Sequence, residues 1–171
     1  MRTLIAVAAV VLGVNLSAQS TPAGVSNYTR VDATVACAGA TPVDAIPALK
    51  ADGFRSIVNL RQAGEEGANV DASRKAAEAA GLRYVHIPVD GANLKAESVD
   101  HFLAAMRDPR NSPAFIHCAS ANRVGMMWLI KRVVSDGWSV ERATAEAERI
   151  GLKSPRLKEF AIEYLKARGK A

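Results

Sequence analysis

The chain has 171 residues, 49% hydrophobic and 23% charged, an ordinary globular composition. A net charge of +5 with scattered Lys and Arg, and aromatics at only 5%, excludes the broad basic, stacking surface of a nucleic-acid binder. A mild positive balance suits a small anionic substrate.

Met1 and Arg2 make a short basic start, residues 3–16 are apolar, and Ser17 and Ala18 supply small residues before Gln19. This pattern predicts a signal peptide over residues 1–18 and an exported, periplasmic or secreted protein. An uncleaved anchor is the alternative, but a span needs about 20 apolar residues, and this run is shorter and interrupted. No stable membrane insertion is expected after cleavage, and no cysteine beside the cleavage point suggests a lipid anchor. Residues 19–30, polar with Pro and Gly, read as a flexible lead-in. Residues 31–171 then make one domain.

Within that domain "ATVACAG" (residues 33–39) predicts a strand. "TPVDAIPALKADG" (41–53) predicts a helix with Thr41 as N-cap and Pro42 at its first position, made irregular by Pro47. "FRSIVNL" (54–60) is a second strand, "RQAGEEGAN" a loop, and "VDASRKAAEAAG" (70–81) a helix stopped by Gly81. "RYVHIPV" (83–89) is a third strand and "DGANL" a loop. "AESVDHFLAAMRD" (96–108) has Val99, Phe102, Leu103 and Met106 at helical spacing. "PAFIH" (113–117) is the fourth strand. Three helices follow, over 124–137, 139–151 and 154–169, with Ser139 and Ser154 as N-caps and Gly151 as a stop. Helices alternating with strands imply parallel crossovers. The expected fold class is therefore α/β, a three-layer α/β/α sandwich on a four-stranded, mostly parallel sheet.

The stretch "FIHCASANRVG" (115–125) concentrates the chemistry. Cys118 ends a central strand, where open α/β folds bind ligands. Ala119, Ser120, Ala121 and Asn122 form a short loop into a helix, whose N-terminus offers unpaired N–H groups and partial positive charge. Arg123 adds a planar fork matching two phosphate oxygens. The same field favours a thiolate at Cys118. A nucleophile and an oxyanion cradle thus share one place. The plainer alternative is a buried structural cysteine beside a surface arginine.

This stretch, HC followed by four residues, Arg and an apolar helix, resembles the signature loop of cysteine-dependent protein tyrosine phosphatases, including the dual-specificity branch. "GFRSIVNLR" is similar to that group's second strand and following loop. "YVHIPVD" is similar to the strand before its general-acid loop, and "GWSVERATAEAERIG" to the helix after its signature helix. The likeness is greatest to a small bacterial phosphatase-like subgroup with a loop one residue shorter, a feature shared with phosphatase domains of bacterial hydrolase fusions. The resemblance implies phosphomonoester hydrolysis through a cysteinyl-phosphate, on a phosphorylated protein or small phosphate ester, with no metal or organic cofactor.

In that scheme Cys118 is the nucleophile, while Arg123 and the N–H groups of Ala119, Ser120, Ala121 and Asn122 bind the phosphoryl oxygens. Asp90 is the general acid, its alternative being a turn residue before Gly91. His117 holds the loop and thiolate, or is a core imidazole. The chain departs from the family pattern where Ala121 replaces a loop glycine and Val124 a hydroxyl residue. Asn122, tolerant of left-handed geometry, is expected to ease the strain. Arg61 either reaches the pocket rim or pairs on the surface with Glu65 or Glu66. Cys37 either forms a protective disulfide with Cys118 or is a small buried residue. His86 and His101 carry no metal pattern.

Two other functions fit the loop. A rhodanese-type sulfurtransferase also has a short cysteine loop, but it continues into another strand. A catalytically weak phosphate-binding module is suggested by Ala121 and Val124.

Overall fold

The computed structural model describes residues 21–170. The expected signal peptide falls outside the described residues. Thirteen elements build the fold among them. The strands are β1 (Thr29–Arg30), β2 (Val35–Ala38), β3 (Ser56–Asn59), β4 (Arg83–His86) and β5 (Ala114–His117). The helices are α1 (Ile46–Ala51), α2 (Val70–Ala79), α3 (Ala96–Arg107), α4 (Asn122–Val134), α5 (Val140–Ile150) and α6 (Pro155–Lys166). Two 3-10 turns, Val43–Ala45 and Pro109–Asn111, complete the set.

The sheet order is β1-β2-β5-β3-β4. β2, β5, β3 and β4 are parallel, and β1 adds an antiparallel edge. The sheet therefore has five strands where the sequence predicts four. β1 is two residues long and half-buried, so it carries no periodic signal. It also lies within the expected flexible lead-in. That segment is tied to the fold: Ser26 N–H donates to Ala40 O at 2.9 Å, and Gly39 N–H to Ser26 O at 2.7 Å.

Strand alternation sorts the core into two layers. Val35, Cys37, Val58 and Ile116 point to the side carrying α3, α4, α5 and α6. Ala36, Ala38, Ile57 and Phe115 point to the other, against Ile46 and Leu49 of α1 and Ala77 of α2. α4 is the central helix; its residues Val124 to Ile130 are all buried. On α5 and α6 only one stripe is buried, including Ala143, Ala147, Leu157, Ala161 and Leu165, so the basic C-terminal run lies on a solvated face.

Caps follow the sequence at two of three places. Ser139 and Ser154 accept N–H bonds from Arg142 and Leu157. Thr41 does not cap; its hydroxyl donates to Gly39 O at 3.2 Å. The helix expected from 41 to 53 splits instead into a 3-10 turn and α1, which restarts with Pro47 in its first turn, where a missing N–H costs nothing. No strand follows β5 among the described residues, unlike the rhodanese continuation.

Candidate active site

The parallel strands bring Gly39, Cys118, Leu60 and Ile87 to one sheet edge, each just past the end of β2, β5, β3 and β4. Cys118 N–H still donates to Ala38 O at 3.3 Å, which anchors the start of the loop. The chain then turns sharply into α4. Ala121 makes the turn, with φ +63° in the left-handed region. The conformation falls on Ala121 and not on Asn122, so the chain bears the strain that a glycine would relieve.

Asn122 braces the loop. Its Oδ1 accepts the N–H groups of Lys153 (2.7 Å) and Ser154 (2.9 Å), joining the start of α4 to the α5–α6 connection. A Cβ on Gly125 would lie 2.8 Å from Ala147 O and 2.8 Å from Leu152 Cβ, so glycine allows this close approach. The N–H groups from Ala119 to Val124 have no acceptor among the described residues. They form the free donor set expected of an anion cradle at a helix start.

Arg123 extends from the first turn of α4 back toward the sheet edge. Its Nη1 donates to Val89 O at 2.9 Å and Leu60 O at 3.3 Å. Glu65 grips the fork with both oxygens, Oε1 on Nη1 and Oε2 on Nη2 (2.7 Å). Burial would lower the guanidinium's pKa, but hydrogen bonding to Glu65 and the neighbouring Cys118 sulfur raise it above the ordinary value. The structure therefore brings the Cys118 sulfur and the Arg123 guanidinium together. Cys118 itself is 0% exposed, so a ligand atom can reach the sulfur only after neighbouring atoms move aside.

Glu65 is the site residue that sequence reading missed as a partner of Arg123. Burial pushes its carboxyl up, yet hydrogen bonds from Arg123, the Gln62 backbone and Arg61 outweigh that and hold its pKa at about 2. Arg61 does pair with Glu65 (Nε–Oε2, 3.3 Å), but not on the surface: it is 5% exposed. It also donates to Gly67 O at 3.0 Å and to Glu66 O. Glu65 thus lies between two buried or half-buried guanidiniums and closes the β3–α2 loop around them.

Asp90 follows Val89, the residue whose carbonyl holds Arg123. Its Oδ1 accepts Ala92 N–H at 2.8 Å, so in this conformation it makes the Asp-Gly turn. His117 is buried on the opposite face of β5, its ring 5.9 Å from that of Phe115. Burial, with Arg61 and Arg123 nearby, pushes its pKa down to about 3, so the ring is neutral. Its Nδ1 has no hydrogen-bond partner among the described residues. Cys37 pairs with Ile116 in the sheet register and therefore sits diagonally from Cys118. Both cysteines are free and buried.

Residues 17–135 match the family model described as "Beta-lactamase hydrolase-like protein, phosphatase-like domain". A beta-lactamase hydrolase-like protein of Xylella fastidiosa (strain 9a5c) is 31% identical over 124 residues, which is 63% of this chain and 28% of that protein. The chain thus spans less than a third of the curated relative. A DUF442 protein of Shewanella putrefaciens CN-32 shares the fold, with a TM-score of 0.72, 21% identity, and coverage of 84% of this chain and 92% of that one. So does the core catalytic domain of the PP-IP phosphatase SIW14 from S. cerevisiae, with a TM-score of 0.68, 18% identity, and coverage of 85% and 89%. With its short cysteine loop at the sheet edge and a family match over most of its length, the chain belongs to the phosphatase-like domains of the beta-lactamase hydrolase-like proteins.

Proposed function

We propose that the protein is a cysteine-dependent phosphomonoester hydrolase of the protein-tyrosine-phosphatase type. The observation that carries this reading is the Arg123 guanidinium beside the Cys118 sulfur, under a run of unengaged loop N–H groups. Cys118 sulfur, as thiolate, attacks phosphorus, and the bond to the ester oxygen breaks. Arg123 and the N–H groups of Ala119, Ser120, Ala121 and Asn122 hold the non-bridging oxygens as charge shifts. Asp90 gives its proton to the departing alkoxide or phenoxide. It then takes a proton from water, which displaces the thiolate and releases inorganic phosphate.

Glu65 keeps the guanidinium plane fixed through Nη1 and Nη2, which leaves Nε and the remaining Nη2 hydrogen for phosphate. His117, the last residue of β5 and next to Cys118, is buried and neutral. Asp90 must leave its turn with Ala92 to reach a leaving group. Both steps draw only on groups of this chain and on water.

The substrates we propose are phosphorylated proteins or small phosphate esters, met outside the cytoplasm after removal of residues 1–18. Hydrolysis of para-nitrophenyl phosphate in EDTA should be blocked by vanadate and vanish in Cys118→Ser. Hydrolysis that persists in that variant contradicts the mechanism.

A further inference from the structure

Beside the signature loop lies a concavity of about 280 Å³. Ser120 and Asn122 form its wall on the catalytic side, Tyr28 and the neighbouring lead-in residues another, and Arg149 and Lys153 a third. Its frame is tied in two places. Asn27 Nδ2 donates to Ser120 O at 3.4 Å, and Asn122 Oδ1 accepts Lys153 N–H at 2.7 Å. Lys153 is therefore held next to the residue that precedes Arg123.

The charge in this pocket is unbalanced. Arg149 and Lys153 are exposed, and neither makes an ion pair among the described residues. The one acid in the lining, Glu148, is engaged by Lys158 at 2.8 Å. At the catalytic centre, by contrast, Glu65 already offsets Arg61 and Arg123. The uncompensated cations thus share a concavity with Ser120 and Asn122 of the signature loop. They attract a second anion on the same substrate molecule. The volume suits one phosphate and part of a compact scaffold, too small for an extended peptide.

We propose that this pocket is a subsite for a second phosphate group, so that the preferred substrate is a small ester bearing two phosphates. The proposal rests on the phosphatase reading of Cys118 and Arg123. One phosphate would sit over Cys118 while the other meets Arg149, Lys153 and the Ser120 hydroxyl.

The test compares kcat/KM for an inositol bisphosphate with that for the matching inositol monophosphate, with para-nitrophenyl phosphate as control. Each charge-assisted hydrogen bond to the second phosphate contributes about tenfold or more, so the wild-type protein should favour the bisphosphate by at least that much. The double variant Arg149→Glu, Lys153→Glu should erase the preference. Both positions are exposed, and circular dichroism verifies that the variant folds. No preference in the wild-type protein, a preference that survives charge reversal, or one found only for acidic phosphopeptides would overturn the subsite. Absence of turnover on every substrate, para-nitrophenyl phosphate included, would instead remove the phosphatase reading and the subsite with it.

Discussion

Glu65 and Arg123 are 58 residues apart in sequence, yet their bidentate pair fixes the guanidinium beside the Cys118 sulfur, and the guanidinium also donates to the carbonyls of Leu60 and Val89. A guanidinium held this way presents its remaining donors in one orientation. Glu65→Gln keeps the size of the side chain but halves its acceptor capacity. It should lower kcat/KM for para-nitrophenyl phosphate by about tenfold to a hundredfold, chiefly through kcat, because misplacing a transition-state donor costs on that scale. A steady-state comparison measures it; an unchanged kcat would mean that Glu65 does not orient the fork. The two thiols should also differ. Burial raises the Cys37 pKa well above its ordinary value, so its thiol stays protonated and sealed. Iodoacetamide at pH 8 should leave Cys37 unmodified in the folded protein and label it only after denaturation, as peptide mass spectrometry would read. Cys37→Ala should retain phosphatase activity that Cys118→Ser loses.

At the scale of elements, the site depends on how closely α4 meets the α5–α6 connection. Gly125 permits that approach, and Gly151, with φ +139°, passes so near Ala121 that a Cβ there would lie 2.8 Å from the Ala121 Cβ. Gly125→Ala should therefore destabilise the domain by about 1–3 kcal/mol and displace the loop as well. Urea denaturation would measure the loss, and a ΔΔG near zero would show that α5 can shift freely. Most elements were legible in the sequence because their patterns are local. The apolar spacing of α3, the serine caps of α5 and α6, and the short apolar run of β5 each announce themselves within a few residues. β1 was not legible, since Thr29 and Arg30 are held by pairing with Cys37 and Ala36 rather than by any pattern of their own. The nearness of Cys118 and Arg123 was legible, since one short loop joins them. The residue that absorbs its backbone strain was not, because Ala121 is an unfavoured choice for left-handed geometry that the surrounding packing imposes. The Glu65 pairing also escaped, because ion pairs across distant loops leave no periodicity to read.

At the scale of the whole molecule, the buried His117 and the half-buried Glu65 make the fold acid-sensitive. His117 has a folded pKa of about 3 against an ordinary 6.5, so below pH 6.5 the unfolded chain binds a proton that the folded one refuses. Stability is then lost progressively as the pH falls toward 3. Glu65, at about 2 against 4.5, contributes stability that is complete above pH 4.5 and lost as the pH falls toward 2. Both act in the same direction, and each changes stability by at most about 1.4 kcal/mol per pH unit in its window. Thermal melts should show Tm falling from pH 6.5 downward, more steeply below 4.5. His117→Gln should flatten the upper part of that decline; a slope equal to that of the wild-type protein would mean that another group titrates there. The parallel sheet collects the ends of β2, β5, β3 and β4 at one edge, where Cys118 follows β5 and the carbonyls of Leu60 and Val89, past β3 and β4, hold Arg123. The most direct test of this arrangement is to trap the intermediate. Asp90→Asn, mixed with para-nitrophenyl phosphate and quenched in acid within the first turnover, should yield the Cys118 peptide heavier by one HPO₃ group. Phosphate release with no such adduct on Cys118, or with the adduct on another residue, would contradict the mechanism.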